Sequence, residues 1–129
     1  MPIVILDTNF IITCLKQKIY FEEDIEELIS GAEIVIPLQV ITELKKISED
    51  KNKKYRVEDR DRASLALQLT SKFREINLKG KYVDRGIIKY CRNFRNKIFV
   101  ATLDAELGRM LGKNVELIKI KGLKTLIVE

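Results

Sequence analysis

The chain has 129 residues, 46% of them hydrophobic, with a net charge of +5 at neutral pH and no histidine. A chain of this length can bury one hydrophobic core, so we expect a single domain over residues 1–129. The missing histidine excludes Ser-His-Asp and Cys-His catalytic sites, and Cys14 and Cys91 alone cannot supply the usual zinc sites.

Apolar runs alternate with helical patterns along the chain. Residues 3–6 form a continuous aliphatic run, which is typical of a strand buried on both faces of a parallel sheet. Pro37 follows the second such run, where it cannot extend a central strand but suits the start of a helix. The predicted strands are 3–6, 34–36, 73–78, 98–101, 116–120 and 125–128. The predicted helices begin near Phe10 and Glu58 and cover 21–30, 38–48, 82–96 and 104–111.

This alternation predicts an α/β fold, a three-layer α/β/α sandwich with a mostly parallel central sheet. The polar stretch 49–62 is too short to divide the chain into two domains and is predicted to be a loop entering a helix. No signal peptide and no apolar stretch long enough to span a membrane is visible, so we expect a cytoplasmic protein.

Two acids follow predicted strands at the same edge of the sheet. Asp7 comes directly after the first strand, and Asp104 comes shortly after the strand 98–101. Ligands of open α/β sheets bind outside the carboxyl ends of the strands. We therefore expect both carboxyl groups to face one crevice.

Two further acids lie on predicted helices. Glu43 shares a helix face with apolar residues three positions before and four after it, and Asp84 lies at the start of its helix, on the side predicted to face inward. Taken singly, Asp7, Asp84 and Asp104 are better interpreted as helix N-caps and Glu43 as a surface acid. Four acids directed to one crevice from four segments favour a shared function.

A cluster of carboxylates is unfavourable without a cation, because like charges raise one another's pKa. Mg²⁺ and Mn²⁺ are the ions that suit an oxygen-rich, histidine-free site. Two such ions can activate a water molecule and stabilise the leaving oxygen in phosphodiester hydrolysis. The acids are therefore assigned to metal rather than to direct proton transfer.

Four segments in this order resemble the PIN-domain ribonucleases, a family named for the PilT N-terminus. They are residues 5–9, 36–44, 82–84 and 100–107, and together they span nearly the whole chain. The resemblance implies an α/β/α sandwich and an endoribonuclease dependent on Mg²⁺ or Mn²⁺. It also implies that the metal-site acids are Asp7, Glu43, Asp84 and Asp104.

By the same resemblance, Thr8, Asn9 and Thr102 match polar positions that orient the acids, and Glu106 matches a further acid of some members. Arg85 departs from the family pattern, because several relatives carry a second acid after the position of Asp84. This departure leaves the number of tightly held ions open.

The resemblance leaves the biological role open between two branches. Segments 80–84 and 99–107 look more like the PIN nucleases of ribosomal RNA processing and their archaeal relatives, which would imply RNA and a ribosome-assembly protein as partners. VapC-type toxins, which share the four acids, would imply an antitoxin partner. Family members often form dimers, so a homodimer is also expected.

Basic residues near these segments are candidate RNA contacts. Lys53, Lys54 and Arg56 lie on the polar loop, while Lys81, Arg85 and Lys89 belong to a basic run, residues 79–97, predicted to surround Asp84. Tyr55 and Tyr82 could stack on unpaired bases, although packing against neighbouring residues is the favoured interpretation.

Other functional classes fit less well. A receiver domain would need paired acids after the first strand, a phosphatase with an aspartate nucleophile would need a second Asp at the position of Asn9, and no P-loop motif occurs. A PIN fold that binds RNA or protein without cutting is the remaining alternative, and the presence of all four acids argues against it.

Overall fold

The structure, a computed structural model, describes residues 1–129 and contains six strands and six helices. The strands are β1 (Ile3–Leu6), β2 (Glu33–Pro37), β3 (Arg74–Ile76), β4 (Ile98–Ala101), β5 (Val115–Lys121) and β6 (Thr125–Val128). The helices are α1 (Thr8–Lys16), α2 (Phe21–Leu28), α3 (Leu38–Ser48), α4 (Val57–Thr70), α5 (Val83–Arg92) and α6 (Ala105–Met110).

All six strands form one sheet in the order β3-β2-β1-β4-β5-β6. Each neighbouring pair from β3 to β5 is parallel, and β6 closes the edge as the antiparallel partner of β5. β1 lies between β2 and β4, where Ile5 is in register with Val35 and with Val100. The predicted, mostly parallel sheet is confirmed.

The two faces of the sheet are covered by different helices. Val4 and Leu6 of β1 belong to a core formed with α1, α2, α3 and α4, whereas Ile3 and Ile5 belong to a second core formed with α5 and α6. This alternation follows from the two-residue period of a strand. Burying an aliphatic side chain of this size stabilises the fold by roughly 1.5–3 kcal/mol, so the four residues of β1 anchor both layers. The three-layer α/β/α sandwich is confirmed.

Several predicted boundaries are wrong, including those of β2, β3 and α5. Pro37 is the last residue of β2 rather than the start of a helix. It pairs with Ile76 of β3. The pairing of β2 with β1 already ends at Val35, so the missing N–H of Pro37 removes no hydrogen bond to β1. β3 is shorter than predicted. The helix predicted to reach residue 96 ends at Arg92, and Phe94 beyond it stacks on Tyr90 with ring centroids 5.7 Å apart.

Both cysteines are buried free thiols, and each belongs to one of the two cores of the sheet. Burial raises the pKa of Cys14 and of Cys91 to about 12, so neither is a reactive thiolate near neutral pH. No helix combines the length and the apolar character needed to cross a bilayer.

Candidate active site

Asp7 lies at the carboxyl end of the central strand β1 and is only 6% exposed. Its backbone N–H donates to the carbonyl of Ala101 at 3.0 Å, which extends the pairing of β1 with β4 by one residue. The carboxylate Oδ1 accepts from the Thr8 N–H at 2.9 Å. The strand pairing therefore fixes the position of this carboxyl group before any ligand is bound.

Thr102 links Asp7 to the end of β4. Its hydroxyl donates to Asp7 Oδ2 at 2.7 Å and accepts from the backbone N–H of Asp104 at 3.1 Å. Thr102 is itself buried, with 1% of its surface exposed. One hydroxyl therefore bonds to two of the predicted acids.

Asp104 is both an N-cap and a member of the acid group. Its Oδ1 accepts from the N–H groups of Glu106 and Leu107 at 2.9 and 3.1 Å. Asp104 therefore caps α6, as predicted for this residue taken singly. Both of these bonds use Oδ1. The cap interaction therefore does not occupy Oδ2.

Glu43 reaches the same crevice from α3. Its carboxyl is partly shielded although the residue as a whole is exposed, and this shielding is the main cause of its raised pKa. The nearby Thr8 hydroxyl lowers that pKa, the charges of Asp7 and Asp84 raise it, and Lys46 lowers it. Thr8 Oγ1 is buried without a partner at hydrogen-bonding distance, which leaves a free oxygen beside the acids.

Asp84 approaches from the first turn of α5. It is exposed to solvent, so its predicted inward orientation is wrong, because the buried side of α5 is formed by Gly86, Ile87, Ile88 and Cys91. Partial desolvation raises its pKa, followed by the charges of Asp7, Asp104 and Glu106 and by the nearness of the Asp104 carboxyl. These interactions place its carboxyl over the crevice.

The acid crevice, formed by Asp7, Glu43, Asp84 and Asp104, has no basic side chain bonded to it. None of the five salt bridges of the structure includes any of these four residues. Desolvation is the largest cause of the raised pKa of Asp7, and Asp104 adds to it, while the bonds from Thr102 and Thr8 oppose it. The crevice therefore carries negative charge that the protein itself does not neutralise.

The donor set of the crevice suits a hard divalent cation. Carboxylate and hydroxyl oxygens are preferred by Mg²⁺ and Mn²⁺, and the unpartnered Thr8 hydroxyl adds one more oxygen. As the side chains lie, no three of them come close enough together to ligate one ion. The residues present thus fit such a metal in chemistry and charge, while ligation requires rotation of the exposed acids.

Asn9 and Glu106, the other two residues matched by resemblance, differ in their placement. Glu106 lies in the first turn of α6, near enough to Asp84 for its charge to contribute to the raised pKa of Asp84. Asn9 is exposed, and none of the hydrogen bonds to Asp7 or Asp104 comes from it. An orienting role for Asn9 has no contact to support it.

Gln39, which the sequence interpretation missed, holds the loop that leads to Asp84. Its Nε2 donates to Asn77 Oδ1 at 3.2 Å and to the Gly80 carbonyl at 3.3 Å, and its Oε1 accepts from the Leu78 N–H at 3.3 Å. Gln39 lies four residues before Glu43 on α3, on the same helix face. One helix face therefore carries one acid and positions the loop before another.

The candidate RNA contacts are all exposed, but the basic run does not surround Asp84 as predicted. Lys81 and Arg85 flank the acid, while Lys89 lies further along α5. Arg92 lies eight residues beyond Asp84, roughly 12 Å along the helix axis. Lys97 precedes β4 at the amino end of that strand, away from the acids, and pairs with Glu116 at 2.9 Å. Lys53, Lys54 and Arg56 lie on the connection between α3 and α4.

The two tyrosines considered for base stacking have different surroundings. Tyr55 is half-buried and packs against the core on the α1–α4 face, as the favoured interpretation predicted. Tyr82 is 62% exposed, so for this residue that interpretation is wrong. The Arg85 guanidinium carbon lies 5.5 Å from the centroid of the Tyr82 ring.

Comparison with known proteins identifies the family. A family model described as a PIN-like domain matches residues 4–123. The chain belongs to the PIN-like domain family. This PIN-like domain is 30% identical over 112 residues to ribonuclease VapC4 of Methanocaldococcus jannaschii, a match that covers 86% of this chain and 83% of that protein.

Solved structures agree with this assignment. The PIN-like domain is similar to the PIN domain endonuclease Utp24, with a TM-score of 0.76 and 27% identity over 98% of this chain and 90% of that chain. VapBC2 from Rickettsia felis, solved bound to a DNA fragment from its promoter, shares the fold, with a TM-score of 0.54 and 13% identity over 92% and 99% of the two chains. These matches confirm the resemblance to PIN-domain ribonucleases and the α/β sandwich.

Proposed function

We propose that this PIN-like domain, acting as one unit over residues 1–129, is a divalent-metal-dependent endoribonuclease. Its metal would be Mg²⁺ or Mn²⁺, held by Asp7, Glu43, Asp84 and Asp104. The observation that carries the proposal is the buried Asp7, 6% exposed, whose carboxyl has no basic partner and lies near three further acids. Similarity to a ribonuclease and to a PIN endonuclease supports the same reaction.

Each residue of the crevice has a distinct part in this proposal. When bound, the metal supplies an activated water and stabilises charge on the leaving oxygen. Asp7 and Asp104 are the fixed acids, because backbone pairing, the Thr102 hydroxyl and the α6 cap hold them. Glu43 and Asp84 are exposed and can adjust to the ion. Lys81, Arg85 and Lys89, with Lys53, Lys54 and Arg56 on the loop, bind the RNA backbone.

The test is cleavage of a labelled single-stranded RNA by the purified chain, with Mn²⁺ or with a chelator. We expect cleavage only with metal, and loss of cleavage in Asp104→Asn, which keeps the α6 cap because Asn is also a good N-cap. The matched control is Asp61→Asn, which makes the same change at an exposed acid of α4 outside every hydrogen bond and salt bridge described. Metal-independent cleavage, or full activity of Asp104→Asn, would contradict the proposal.

We further propose that the RNA is a ribosomal RNA precursor, because residues 80–84 and 99–107 resemble the PIN nucleases of ribosomal RNA processing. The second candidate is a toxin ribonuclease with an antitoxin partner, favoured by the 30% identity to VapC4 over most of both chains. RNA crosslinked in cells to Asp104→Asn separates the two. Enrichment of ribosomal precursors supports processing, whereas growth arrest by the wild type alone, without such enrichment, supports the toxin role.

A further inference from the structure

We propose that the Tyr82 ring, backed by the Arg85 guanidinium, is a stacking platform for one unpaired nucleobase beside the acid crevice. The proposal rests on the ribonuclease function proposed above and deepens it by assigning a single-stranded substrate at this position. The platform is defined as these two side chains.

The exposure of Tyr82 has no explanation in packing. The residue is 62% exposed, whereas Tyr55 is half-buried against the core. The Arg85 guanidinium carbon lies 5.5 Å from the centroid of its ring. Surfaces that bind single-stranded nucleic acid combine aromatic rings, on which bases stack, with cation–π contributions from arginine.

The platform lies next to the acids because of where α5 begins. Tyr82 is the residue preceding α5, and Asp84 follows two positions later. Two residues span at most roughly 7 Å of backbone, and the Asp84 carboxyl interacts with Asp7, Asp104 and Glu106. A nucleotide stacked on Tyr82 therefore has its backbone within reach of the crevice.

The segment before the platform is held in place. Gln39 bonds to Asn77, Leu78 and Gly80. Leu78 packs so closely on α5 that a Cβ at Gly86 would lie 2.7 Å from the Leu78 Cβ. This contact ties the loop to the helix on which Arg85 and Asp84 lie. A preorganised platform binds a base with less loss of entropy than a mobile side chain would.

The charges around the platform select a nucleic acid strand. Lys79, Lys81, Arg85 and Lys89 are exposed and form none of the salt bridges of the structure. They can contact phosphates while the ring takes the base. Bases of a duplex are stacked on one another, so the platform discriminates against paired RNA.

The test uses the Asp104→Asn background, single-stranded RNA carrying the fluorescent base 2-aminopurine, and Mn²⁺. Tyr82→Ala should weaken binding of this strand roughly 5- to 100-fold and abolish the fluorescence quenching that stacking causes. Tyr82→Phe should keep both. Tyr20→Ala is the matched control, because Tyr20 also precedes a helix, α2, and is 75% exposed; it should bind as the parent does.

Two outcomes overturn the platform: Tyr82→Ala binds and quenches as the parent does, or Tyr82 variants weaken duplex RNA binding as strongly as single-stranded binding. Circular dichroism confirms that each variant is folded. Failure of the nuclease proposal has a different result, since a wild-type chain that never cleaves RNA with metal can still show Tyr82-dependent quenching.

Discussion

A buried carboxyl group without a cation beside it is the residue-scale feature on which the site depends. Burial raises the pKa of Asp7 above its ordinary value of 3.8, with a further contribution from Asp104. Below that ordinary value the group is protonated in the folded and the unfolded chain. As pH rises the unfolded chain ionises first, so the free energy of unfolding falls until the folded carboxyl also ionises. Without metal, Asp7 therefore destabilises the protein near neutral pH.

We expect Asp7→Asn to raise the thermal midpoint in a chelator near neutral pH, because it removes this buried charge. The gain should vanish below the ordinary pKa of the carboxyl, where the wild-type group is protonated. Mn²⁺ should stabilise the wild type and not the variant. Differential scanning fluorimetry across pH measures all three effects. A variant that is less stable than the wild type at neutral pH would contradict the argument, and Asp61→Asn should show no gain.

The Thr102 hydroxyl gives a second prediction at this scale. Thr102→Val keeps the shape but removes the donor to Asp7 Oδ2 and the acceptor for the Asp104 N–H. An unpaired buried polar group costs about 1–3 kcal/mol, so we expect lower stability and a weaker response to Mn²⁺. Thr102→Ser retains the hydroxyl and should restore the metal response even where stability stays below the wild type. Chemical denaturation with and without Mn²⁺ distinguishes the two variants.

At the scale of elements, α3 connects the acid crevice to the loop before α5. Glu43 and Gln39 lie four residues apart on this helix, one facing Asp7 and the other bonded to residues 77–80. The position of Asp84 relative to Glu43 therefore depends on a side-chain amide. Displacement of this loop would move Asp84 relative to the other three acids although no acid had been substituted.

We expect Gln39→Ala to reduce the rate of cleavage about tenfold while the thermal midpoint changes little, because the lost bonds are largely exposed. The Leu78 amide loses its acceptor and should exchange its proton faster by NMR. The Lys79 amide, bonded to Asn77 at 2.9 Å, is the internal control and should change less. An unchanged Leu78 exchange rate would rule out the positioning role of Gln39.

The elements that apolar content alone defines could be predicted from the sequence. β1, α3 and β4 have the predicted bounds. The buried side chains of the two strands are consecutive, those of the helix have helical spacing, and polar residues or Pro37 flank each element. The end of α5 could not, because Phe94 continues the apolar spacing but stacks on Tyr90 outside the helix. That stacking is a tertiary contact, which periodicity does not encode.

The candidate site divides in the same way. The four acids were predicted by their places after strands and on helices, together with the family resemblance. Gln39 was missed because its partners lie 38 to 41 residues further on and a glutamine in a helix's first turn has no distinctive local pattern. The sequence also could not show that Tyr55 packs against the core while Tyr82 is exposed, since packing depends on the assembled fold.

At the scale of the whole molecule, a chain of net positive charge carries a negative crevice. The chain carries +5 overall, yet the four acids have no bonded cation. In the function proposed above, the surface attracts a polyanion and the crevice attracts a metal. Cations at the two ends of α5 should contribute differently, because only one end lies at the crevice.

We expect the double variant Lys81→Ala and Arg85→Ala to weaken RNA binding and to make it less sensitive to salt. Each lost phosphate contact with single-stranded RNA should reduce the slope of log affinity against log salt by about 0.7. The double variant Arg92→Ala and Arg95→Ala removes equal charge from the far end of α5 and should retain nearly the wild-type slope. Equal slopes in the two double variants would show that only net charge matters.

The hydrogen bond between Thr102 and Asp7 joins residues 95 positions apart. Asp7 is synthesised 95 residues before Thr102, so the two side chains cannot meet until the chain between them has emerged from the ribosome. β4 must then insert beside β1 before their side chains meet. The acid crevice is therefore incomplete while residues 8–101 are being synthesised, and it forms only once β4 has joined β1.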